Sequence, residues 1–239
     1  MQWKTHVSGI KNNTFFVRGV PLTELVTTKS FSQAAFLLLT GKTPTDVQTK
    51  LFDAVLVAMI DHGAGVPTAF MPRVSVSVGN PMNAALAAGL LGLGDHHGGA
   101  LEGAMRLLYE TENAAETVAK ALAVKARLPG YGHKVYKDVD PRAQALLLYA
   151  RSVLGSGKFL NTAEQIGKEL SRQKPGSNLP LNIDGAVAAI LCEIGLEARL
   201  GKGIFALARL PGMMAHALEE MTNEKPYRRF EEEEIEYLG

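Results

Sequence analysis

Three apolar stretches constrain the fold of this chain more than any other feature of its sequence. Residues 84–93 follow Asn80-Pro81, a helix-opening pair, and are apolar on every face of the helix they would form. Residues 186–196 and 205–218 are also predominantly apolar and are predicted to form buried helices. A helix that is apolar all round, such as that of residues 84–93, is normally buried. The sequence therefore predicts a helical fold in which these three apolar stretches form buried helices.

Capping signals and apolar spacing predict the surrounding helices. Ser30-x-x-Gln33 is a capping-box pattern ahead of an apolar stretch. A further helix is expected to start at Thr43-Pro44, and its i+4 apolar pattern ends at Asp61-His62. This places His62 at or just beyond a helix C-terminus. Helices are also predicted over residues 114–128, 142–154 and 162–172, and residues 171–178 are the most loop-like stretch.

Composition and charge exclude several classes of protein. With 46% hydrophobic and 21% charged residues, the chain has enough apolar material for a core and is not expected to be disordered. A net charge of +1 without a basic block argues against a nucleic-acid partner. Residues 1–6 lack the apolar core of a signal peptide, and no apolar run reaches the roughly 18 residues of a membrane span. We expect a cytoplasmic protein without membrane contact, and Cys192 as a small core residue.

The loop Leu128-Pro129-Gly130-Tyr131-Gly132-His133 is the strongest indication of a functional site. Proline fixes one backbone angle, while the two glycines permit conformations closed to other residues and allow close approach of a ligand. Asp140-Pro141 then forms a helix start, with Asp140 as N-cap, and Arg142 lies in the first turn. His133 and Arg142 are therefore placed to face one bound anion. A surface histidine in a plain interhelical turn is the alternative.

Three other segments combine an ionisable residue with small neighbours. They are Asp61-His62-Gly63, Asp95-His96-His97-Gly98-Gly99-Ala100 and Leu181-Asn182-Ile183-Asp184-Gly185. With the glycine-rich loop and Asp140-Pro141-Arg142, they resemble the citrate synthase superfamily in type and order. The family's later elements, an arginine in a Phe-rich helix and a basic segment near the end, match Phe205–Arg209 and Tyr227-Arg228-Arg229. The resemblance extends from about residue 20 to the end of the chain.

The resemblance implies an all-α, citrate synthase-like fold with a large helical domain and an inserted small helical domain. Carried over, the large domain comprises residues 1–100 and 184–239, and the small, CoA-binding domain residues 101–183. Val74, Val76 and Val78 alternate as in a strand, but the family implies a helix there. The chain lacks the long N-terminal portion of full-length citrate synthases and is more similar to compact citryl-CoA lyases, including the lyase module of ATP-citrate lyase. His97 fits the synthase pattern His-Gly-Gly-Ala.

Catalytic roles follow from the resemblance residue by residue. Asp184 is implied as the carboxyl acid/base, His97 as the hydrogen-bond donor to the thioester oxygen, and His133 as the group that exchanges a proton with the substrate hydroxyl or ketone. A carboxylate and two neutral histidines meet the needs of C–C bond chemistry beside a thioester without a metal. The alternatives are a buried histidine for His97 and a plain helix cap for Asp184.

Substrate contacts are implied in the same way. His62, Arg142 and Arg209 match citrate-contacting positions, and Arg228, with Arg229 as the alternative, matches an arginine that the family supplies from a partner subunit. The expected coenzyme A site consists of Leu128, Gly130, Tyr131, Gly132, Lys137, Lys174 and Asn182. No permanently bound cofactor and no metal are expected, because CoA is part of the substrate. A homodimer or higher homo-oligomer with shared active sites is implied.

The leading hypothesis is a citryl-CoA lyase that cleaves citryl-CoA to acetyl-CoA and oxaloacetate, with a separate citryl-CoA synthetase as a possible partner. The alternative is a citrate synthase or a related enzyme that condenses a 2-oxo acid with an acyl-CoA. A third hypothesis is a non-catalytic module that binds CoA or citrate. A fourth is a metal hydrolase built on the Asp/His clusters, although HExxH-type spacing is absent. His216 is interpreted as a packing residue, and residues 231–234 as a solvated acidic face.

Overall fold

Helices dominate the computed structural model, which describes residues 2–133, 136, 138–176 and 179–239. The helices in these residues are α1 Leu22–Thr28, α2 Phe31–Thr40, α3 Asp46–Ala58, α4 Pro67–Ser77, α5 Met82–Leu91, α6 Ala100–Glu110, α7 Ala114–Ala123, α8 Pro141–Leu154, α9 Lys158–Gln173, α10 Ile183–Glu193 and α11 Gly201–Asn223. Short 3₁₀ turns cover Ala198–Leu200 and Glu232–Glu234. The predicted all-α class is confirmed.

A small antiparallel sheet precedes the helices, and the sequence reasoning missed it. Its strands are β1 Ser8–Lys11, β2 Thr14–Val17 and β3 Val20–Pro21, in the order β1-β2-β3. Asn12 and Asn13 join the first two strands with positive φ angles of 49° and 59°. Asparagine tolerates this conformation in a tight two-residue hairpin turn. The Asn-Asn pair was therefore a local signal for the hairpin.

The core is built around α10. Every residue from 185 to 192 is buried, and α10 packs against α3, α6, α8 and α9. The predicted burial of this stretch is confirmed, as is that of Cys192. The first turn of α10 carries Asp184, so one end of the most enclosed helix supplies a carboxyl group to the site.

Most predicted helices are present with shifted boundaries. The capping box of Ser30 and Gln33 is formed, but the next helix begins at Asp46 behind a second capping box, Thr45 with Gln48, instead of at Thr43-Pro44. Residues 74–76 are helical despite their strand-like alternation, because they belong to α4, which begins with a proline at its first position. Helix α7 ends at Ala123, five residues before the predicted end, and Lys125 follows with a φ of 53°.

The predicted burial of the stretch 84–93 is wrong for the single chain. Helix α5 packs against α4 and α11, and of its residues only Ala85 and Gly89 are buried. Leu91 is 81% exposed. The close packing of Gly89 against Pro72 and Met213 fixes one side of the helix and leaves its other apolar sides open. An apolar helix with an open face indicates a surface that another molecule covers.

None of the helices in the described part of the chain is both long and apolar enough to span a membrane. The division into domains at residues 100 and 183 stays a prediction. Helix α6 lies just after the first predicted boundary, yet it packs extensively against α10, just after the second. The predicted small domain is therefore held firmly against the core in this conformation.

Candidate active site

A cavity of about 150 Å³ brings together the residues that the sequence singled out. Its lining includes all three predicted catalytic residues and three of the four predicted substrate contacts, namely His97, His133, Asp184, His62, Arg142 and Arg209. Five of these residues come from loops or helix starts, and Arg209 comes from α11. Asn182 and His96 also line the cavity, although His96 was not predicted.

Two glycines let the histidine loop lie directly on the start of α10. A Cβ atom at Gly130 would lie 2.8 Å from the Cα of Gly185, and one at Gly185 would lie 2.5 Å from the Gly130 carbonyl oxygen. Gly130 also has a φ of 89°, a conformation that favours glycine. The loop that carries His133 and the helix that carries Asp184 can approach this closely only because neither glycine has a side chain.

Asn182 fastens the same two segments with both ends of its amide. Its Oδ1 accepts a hydrogen bond from Gly185 N at 3.1 Å, so Asn182 is the N-cap of α10. Its Nδ2 donates to the Gly132 carbonyl at 2.8 Å. The prediction that Asn182 contacts CoA stays untested, while the structure gives this side chain a positioning role. The alternative reading of Asp184 as the helix cap is wrong, because Asn182 takes that position.

The Asp184 carboxyl group faces the cavity from the first turn of α10. Burial raises its pKa above the ordinary value, and the positive charges of Arg142 and Arg209 only partly oppose this effect. The protonated form is therefore favoured more than in water. Such a carboxyl group can act as a proton donor as well as an acceptor.

Asp140 organises the other side of the site, and sequence reasoning recognised it only as a helix cap. It is 1% exposed, and its carboxylate accepts hydrogen bonds from the backbone N, Nε and Nη2 of Arg142 at 2.9–3.1 Å. Its Oδ2 also accepts from Ile183 N, the first amide of α10, at 3.1 Å. Burial raises the pKa of Asp140, but these hydrogen bonds outweigh it and the pKa is lowered. One carboxylate thus joins Arg142 to the helix that carries Asp184.

Arg142 in turn lies between two histidines. Its Nη1 is 3.2 Å from His62 Nδ1, and its Nη2 is 3.2 Å from His133 Nε2. The backbone N–H of Tyr136 points at the other ring nitrogen of His133, 3.1 Å away. A neutral imidazole accepts at one nitrogen only, and Arg142 Nη2 and the Tyr136 N–H are both donors. An anionic ligand that accepts from Arg142 would relieve this conflict.

The opposite side of the cavity holds His97 on a tight turn before α6. His97 Nε2 is 2.9 Å from Thr68 Oγ1, and the His97 ring meets Phe205 edge-on. Burial and then the charge of Arg209 lower the pKa of His97. His97 is half-buried and neutral near pH 7, as a donor to a developing oxyanion requires. Thr68 was not predicted, and only its contact with His97 in the folded structure identifies it.

Arg209 is buried, and its direct partners in the described residues are all uncharged. Its Nε donates to the Met59 carbonyl at 2.8 Å, its Nη1 lies 3.4 Å from Thr68 Oγ1, and its guanidinium stacks over the Phe205 ring. Burial lowers the pKa of Arg209, partly opposed by the more distant Asp61 and Asp184. A buried guanidinium is costly without an anionic partner. This geometry favours a carboxylate ligand in the cavity.

His62 lies in the loop after α3, as predicted. Burial and the neighbouring Arg142 and Arg209 charges lower its pKa. The preceding Asp61 accepts from Gly63 N at 2.9 Å and lies 3.2 Å from His216 Nε2. His216, predicted as a packing residue, therefore has a polar contact that steadies the loop of His62.

A second cavity, of about 1020 Å³, adjoins the first and shares His133 with it. Four of the predicted CoA contacts, Leu128, Tyr131, Gly132 and Lys174, line it. The Tyr131 hydroxyl donates to the Ala163 carbonyl at 2.8 Å, which pins the loop to α9. Gly130, in the same loop, is buried against Gly185, and Lys137 lies outside the described residues. Lys125 and Arg127 add basic charge to the lining, and sequence reasoning missed both.

Arg228 does not reach the cavity of its own chain. Its guanidinium forms two hydrogen bonds, of 2.8 and 2.7 Å, with the buried carboxylate of Glu220, which also binds Arg73. Arg229 is exposed, and its contact with Glu231 is a longer 3.5 Å. Across the described residues, no group of three or more His, Cys, Asp or Glu side chains is arranged to hold a metal ion.

The cavity and its helical frame define a class of protein, and comparison with known proteins identifies that class. The model of the citrate synthase C-terminal domain matches residues 43–229. This chain belongs to the citrate synthase family, which confirms the resemblance found in the sequence.

The chain is similar to several individual members of this family and to solved structures. The chain is similar to the structure of citryl-CoA lyase from Hydrogenobacter thermophilus, with 43% identity and a TM-score of 0.95 over 99% of this chain and 94% of that one. It is also similar to ATP citrate lyase from Methanothrix soehngenii in complex with citrate and coenzyme A, with 27% identity and a TM-score of 0.88 over all of this chain and 42% of that one. Among curated proteins, citrate synthase 2 of Bacillus subtilis is 32% identical over 80% of this chain and 52% of its own length. The chain spans about half the length of the curated relatives it matches.

Proposed function

We propose that this protein cleaves citryl-CoA to acetyl-CoA and oxaloacetate. The observation that carries the proposal is one small cavity in which a protonatable carboxyl group, two histidines and the buried Arg209 meet. Similarity to a citryl-CoA lyase along nearly the full length of both chains favours cleavage over condensation.

The reaction requires two proton movements around one C–C bond. His133 accepts the proton of the citryl-CoA hydroxyl while the C–C bond breaks, so that the ketone of oxaloacetate forms. The electron pair of the broken bond moves into the thioester and forms the enolate of acetyl-CoA, whose oxygen is stabilised by a hydrogen bond from His97. Asp184 then donates its proton to the enolate carbon, which completes acetyl-CoA and leaves the carboxylate to regain a proton before the next turnover. The raised pKa of Asp184 suits this donor role.

The tautomer of His97 follows from its partners. The Arg209 guanidinium can only donate, so Thr68 Oγ1 accepts from it and its own proton is available to His97 Nε2. In this arrangement the neutral ring keeps its proton on Nδ1, and the thioester oxygen is the proposed acceptor. Thr68 thus positions the ring and sets its protonated nitrogen.

The two halves of citryl-CoA are proposed to bind in the two cavities. The carboxylates of the oxaloacetate half are proposed to bind Arg209, Arg142 and His62, because the buried guanidinium of Arg209 contacts only uncharged groups among the described residues. The CoA half is proposed to occupy the larger cavity, with Lys125, Arg127 and Lys174 near its phosphates. Since His133 lines both cavities, the thioester would lie beside it. Closure of the predicted small domain, residues 101–183, over the bound substrate is part of the proposal.

Product analysis with synthetic citryl-CoA tests this function. We expect equimolar acetyl-CoA and oxaloacetate, detected by chromatography and by coupled reduction of the oxaloacetate. Release of citrate and free CoA without acetyl-CoA would show a thioesterase. Unchanged citryl-CoA, with protein that binds CoA by calorimetry, would show a non-catalytic binder and overturn the proposal. The Asp184→Asn variant is the matched control for contaminating activity.

Condensation of acetyl-CoA with oxaloacetate is the second candidate function. The curated relatives at 30–32% identity include several named citrate synthase, and one site can serve both directions. The distinguishing step is hydrolysis of the citryl-CoA thioester. Net formation of citrate from acetyl-CoA and oxaloacetate, faster than citryl-CoA cleavage, would favour this candidate.

A homodimer with shared sites is also proposed. The face formed by α4, α5 and the second half of α11 exposes large apolar side chains: Phe70, Val74, Val78, Leu90, Leu91, Met214, Leu218 and Met221. Burying this face against a second copy would be favourable, at roughly 25 cal/mol for each Å² of apolar surface. The tail that carries Arg228 and Arg229 leaves α11 beside this face, because Arg228 N donates to Ser77 Oγ of α4.

Hybrid complementation tests the sharing of sites. We expect Asp184→Asn mixed with Arg228→Ala or Arg229→Ala to regain activity in heterodimers if the arginine crosses to the other subunit. Because Arg228 is held by Glu220 and Arg229 is not, we expect the rescue with Arg229→Ala. Absence of rescue in purified heterodimers of two folded, inactive variants would count against shared sites.

A further inference from the structure

An aromatic side chain beside His133 has no part in the reaction described above. Tyr136 follows His133 by three positions and lines neither the small cavity nor the larger one. The residue is partly buried, and its ring lies nearly parallel to the imidazole of His133. The ring centroids are 4.8 Å apart and the interplanar angle is 24°. Tyr136 therefore contacts a functional residue from outside the two cavities.

The backbone that carries His133 is held firmly. Gly132 N donates to the Pro180 carbonyl at 2.7 Å, and the Gly132 carbonyl accepts from Asn182 Nδ2 at 2.8 Å. These bonds fix the loop but not the plane of the imidazole, because the second side-chain torsion of histidine is broad and roughly two-fold. Proton transfer requires a ring nitrogen within hydrogen-bond reach of the substrate. Contacts of the ring itself must therefore set its plane.

Tyr136 supplies two such contacts. Its backbone N–H points at His133 Nδ1, 3.1 Å away, and holds that end of the imidazole. Its aromatic ring covers one face of the imidazole, and centroid separations of about 4.5–7 Å are typical of favourable aromatic pairs. With Nδ1 held and one face covered, the other nitrogen, Nε2, is directed towards Arg142 and the cavity.

Arg142 uses the same aromatic surface but does not depend on it. Its guanidinium carbon lies 5.4 Å from the centre of the Tyr136 ring, within the range of a cation–π contact. The carboxylate of Asp140 holds the same guanidinium through hydrogen bonds of 3.0 and 2.9 Å from Nε and Nη2. Hydrogen bonds to a charged group are stronger than a partly exposed cation–π contact. Loss of the Tyr136 ring should therefore leave Arg142 in place and affect mainly His133.

The contacts of Tyr136 come from its ring and its backbone, not from its hydroxyl group. Within the part of the chain that the structure describes, the hydroxyl group of Tyr136 makes no hydrogen bond. Phenylalanine at this position would keep the stacking and the backbone N–H, whereas leucine would keep only the backbone N–H. The two substitutions therefore separate the aromatic ring from the rest of the residue.

We propose that Tyr136 is a positioning residue that fixes the imidazole plane of His133, so that Nε2 faces the substrate oxygen. Tyr136 acts through His133 and does not touch the substrate. The inference rests on the proposed role of His133 in proton transfer, and it applies to cleavage and to condensation alike.

Steady-state kinetics with synthetic citryl-CoA test this role. We expect Tyr136→Leu to lower kcat by about tenfold and to change KM by less than about twofold, because a small misplacement of a reacting group slows the chemical step without removing a binding contact. Tyr136→Phe should retain kcat within about twofold of the wild-type value, since the aromatic pair is kept. A leucine variant with wild-type kcat, or a phenylalanine variant as impaired as the leucine variant, would overturn the proposal.

Tyr149→Leu is the matched control for these kinetics. It makes the same change at a 43% exposed tyrosine of α8 that lines neither cavity. We expect its kcat and KM to equal those of the wild type. A fall in kcat as large as that of Tyr136→Leu would show a general effect of losing a tyrosine and would overturn the specific role of Tyr136.

Nuclear magnetic resonance relaxation of the histidine rings adds a measurement that needs no active enzyme. The Cε1 carbons are labelled, and the His133 signal is assigned by its loss in His133→Asn. His96 is the internal reference, because it lines the same cavity, is exposed and forms no hydrogen bond with the residues described. We expect the wild-type His133 ring to be more ordered than that of His96 on the picosecond-to-nanosecond timescale. Equal order in the two wild-type rings would overturn the proposal, and this comparison stands even if the leucine variant does not fold.

The variants extend the relaxation measurement and separate this inference from the proposed reaction. We expect Tyr136→Leu to lower the order of the His133 ring to that of His96, and Tyr136→Phe to preserve it. This result in a protein that does not cleave citryl-CoA would reject the reaction and leave the positioning of His133 intact. Cleavage of citryl-CoA at the same kcat by the wild type and the leucine variant would retain the reaction and overturn the role of Tyr136.

Discussion

The two sides of the active-site cavity are built in different ways. On one side, His133, Arg142 and Asp184 come from loops and helix starts that are fastened to each other by Asp140, Asn182 and the Gly130–Gly185 contact. On the other side, His97 and Arg209 are fastened mainly through Thr68 and a single carbonyl, and His62 lies in an exposed loop. Arg142 and His62 connect the two sides directly.

The difference shows that the functional residues of the first side depend more on side-chain hydrogen bonds for their alignment. Loop residues lack a rigid helical frame, so the first side depends on a buried carboxylate and on glycines that permit close backbone approach. On the second side, Thr68 and Arg209 lie within the helices α4 and α11, which are rigid, so fewer hydrogen bonds are needed to position them. Changes to the fastening groups of the first side should therefore disturb several functional residues at once, whereas changes on the second side should remain local.

The largest effect is expected from Asp184→Asn. Loss of the proton donor should lower citryl-CoA turnover by about 10²–10⁴-fold or more, measured as kcat by acetyl-CoA release. The folded-state pKa of Asp184 is raised, so its ionised form opposes folding as the pH rises through and above the unfolded value. The free energy of unfolding at pH 8 should therefore be equal or higher in the variant. Turnover within about tenfold of wild type would remove Asp184 from this role.

Asp140→Asn should have the next largest effect, because it weakens the group that fastens the first side. We expect a loss of about 1.5–3 kcal/mol in the free energy of unfolding, since hydrogen bonds to a charged group are replaced. The folded-state pKa of Asp140 is lowered, so its contribution is present above pH 3.8 and is lost as the pH falls through the lower folded value. Denaturant titrations at pH 7 and at pH 3 check this.

The accompanying loss of activity should appear in both kcat and KM, because Arg142 and Asp184 are displaced together. A variant with normal unfolding and a change in KM alone would show that Asp140 does not join the two segments. Asp138→Asn, at an exposed aspartate two residues earlier, is the matched control.

Thr68→Val tests the second side of the cavity and should have a smaller, local effect. The variant keeps the shape of the side chain but removes the hydroxyl between His97 and Arg209. We expect kcat to fall by about tenfold, equivalent to roughly 1.4 kcal/mol, through loss of the ring position and tautomer. Thr68→Ser should restore most of the activity. A fully active valine variant would separate Thr68 from His97 function.

The smallest expected effect is on the pH profile. Burial lowers the pKa values of His62 and His97 below the ordinary value of 6.5, so both rings stay neutral at pH 7. As the pH falls below 6.5, the unfolded chain binds protons at these rings before the folded chain does, and stability decreases. We expect the acid limb of kcat to lie below pH 6.5, with nuclear magnetic resonance titration of His97 following it. An inflection above pH 6.5 would contradict the neutral-histidine mechanism.

Local sequence determined much of this protein. The buried stretch 185–192 of α10, the capping box at Ser30 and the N-cap at Asp140 follow from residue patterns within a few positions. The order of the short motifs identified the family before any geometry was known. The Asn12-Asn13 hairpin was equally local, but its signal was overlooked.

The tertiary structure alone decided how the pieces work together. The carboxylate of Asp140 reaches Ile183 across 43 positions of sequence, and Thr68 meets His97 across 29. No periodicity encodes such contacts, because a side chain's partner depends on how separate helices pack. For the same reason the apolar α5 was predicted to be buried, yet Leu91 is exposed. Periodicity shows that a surface must be covered, and only packing shows whether the same chain covers it.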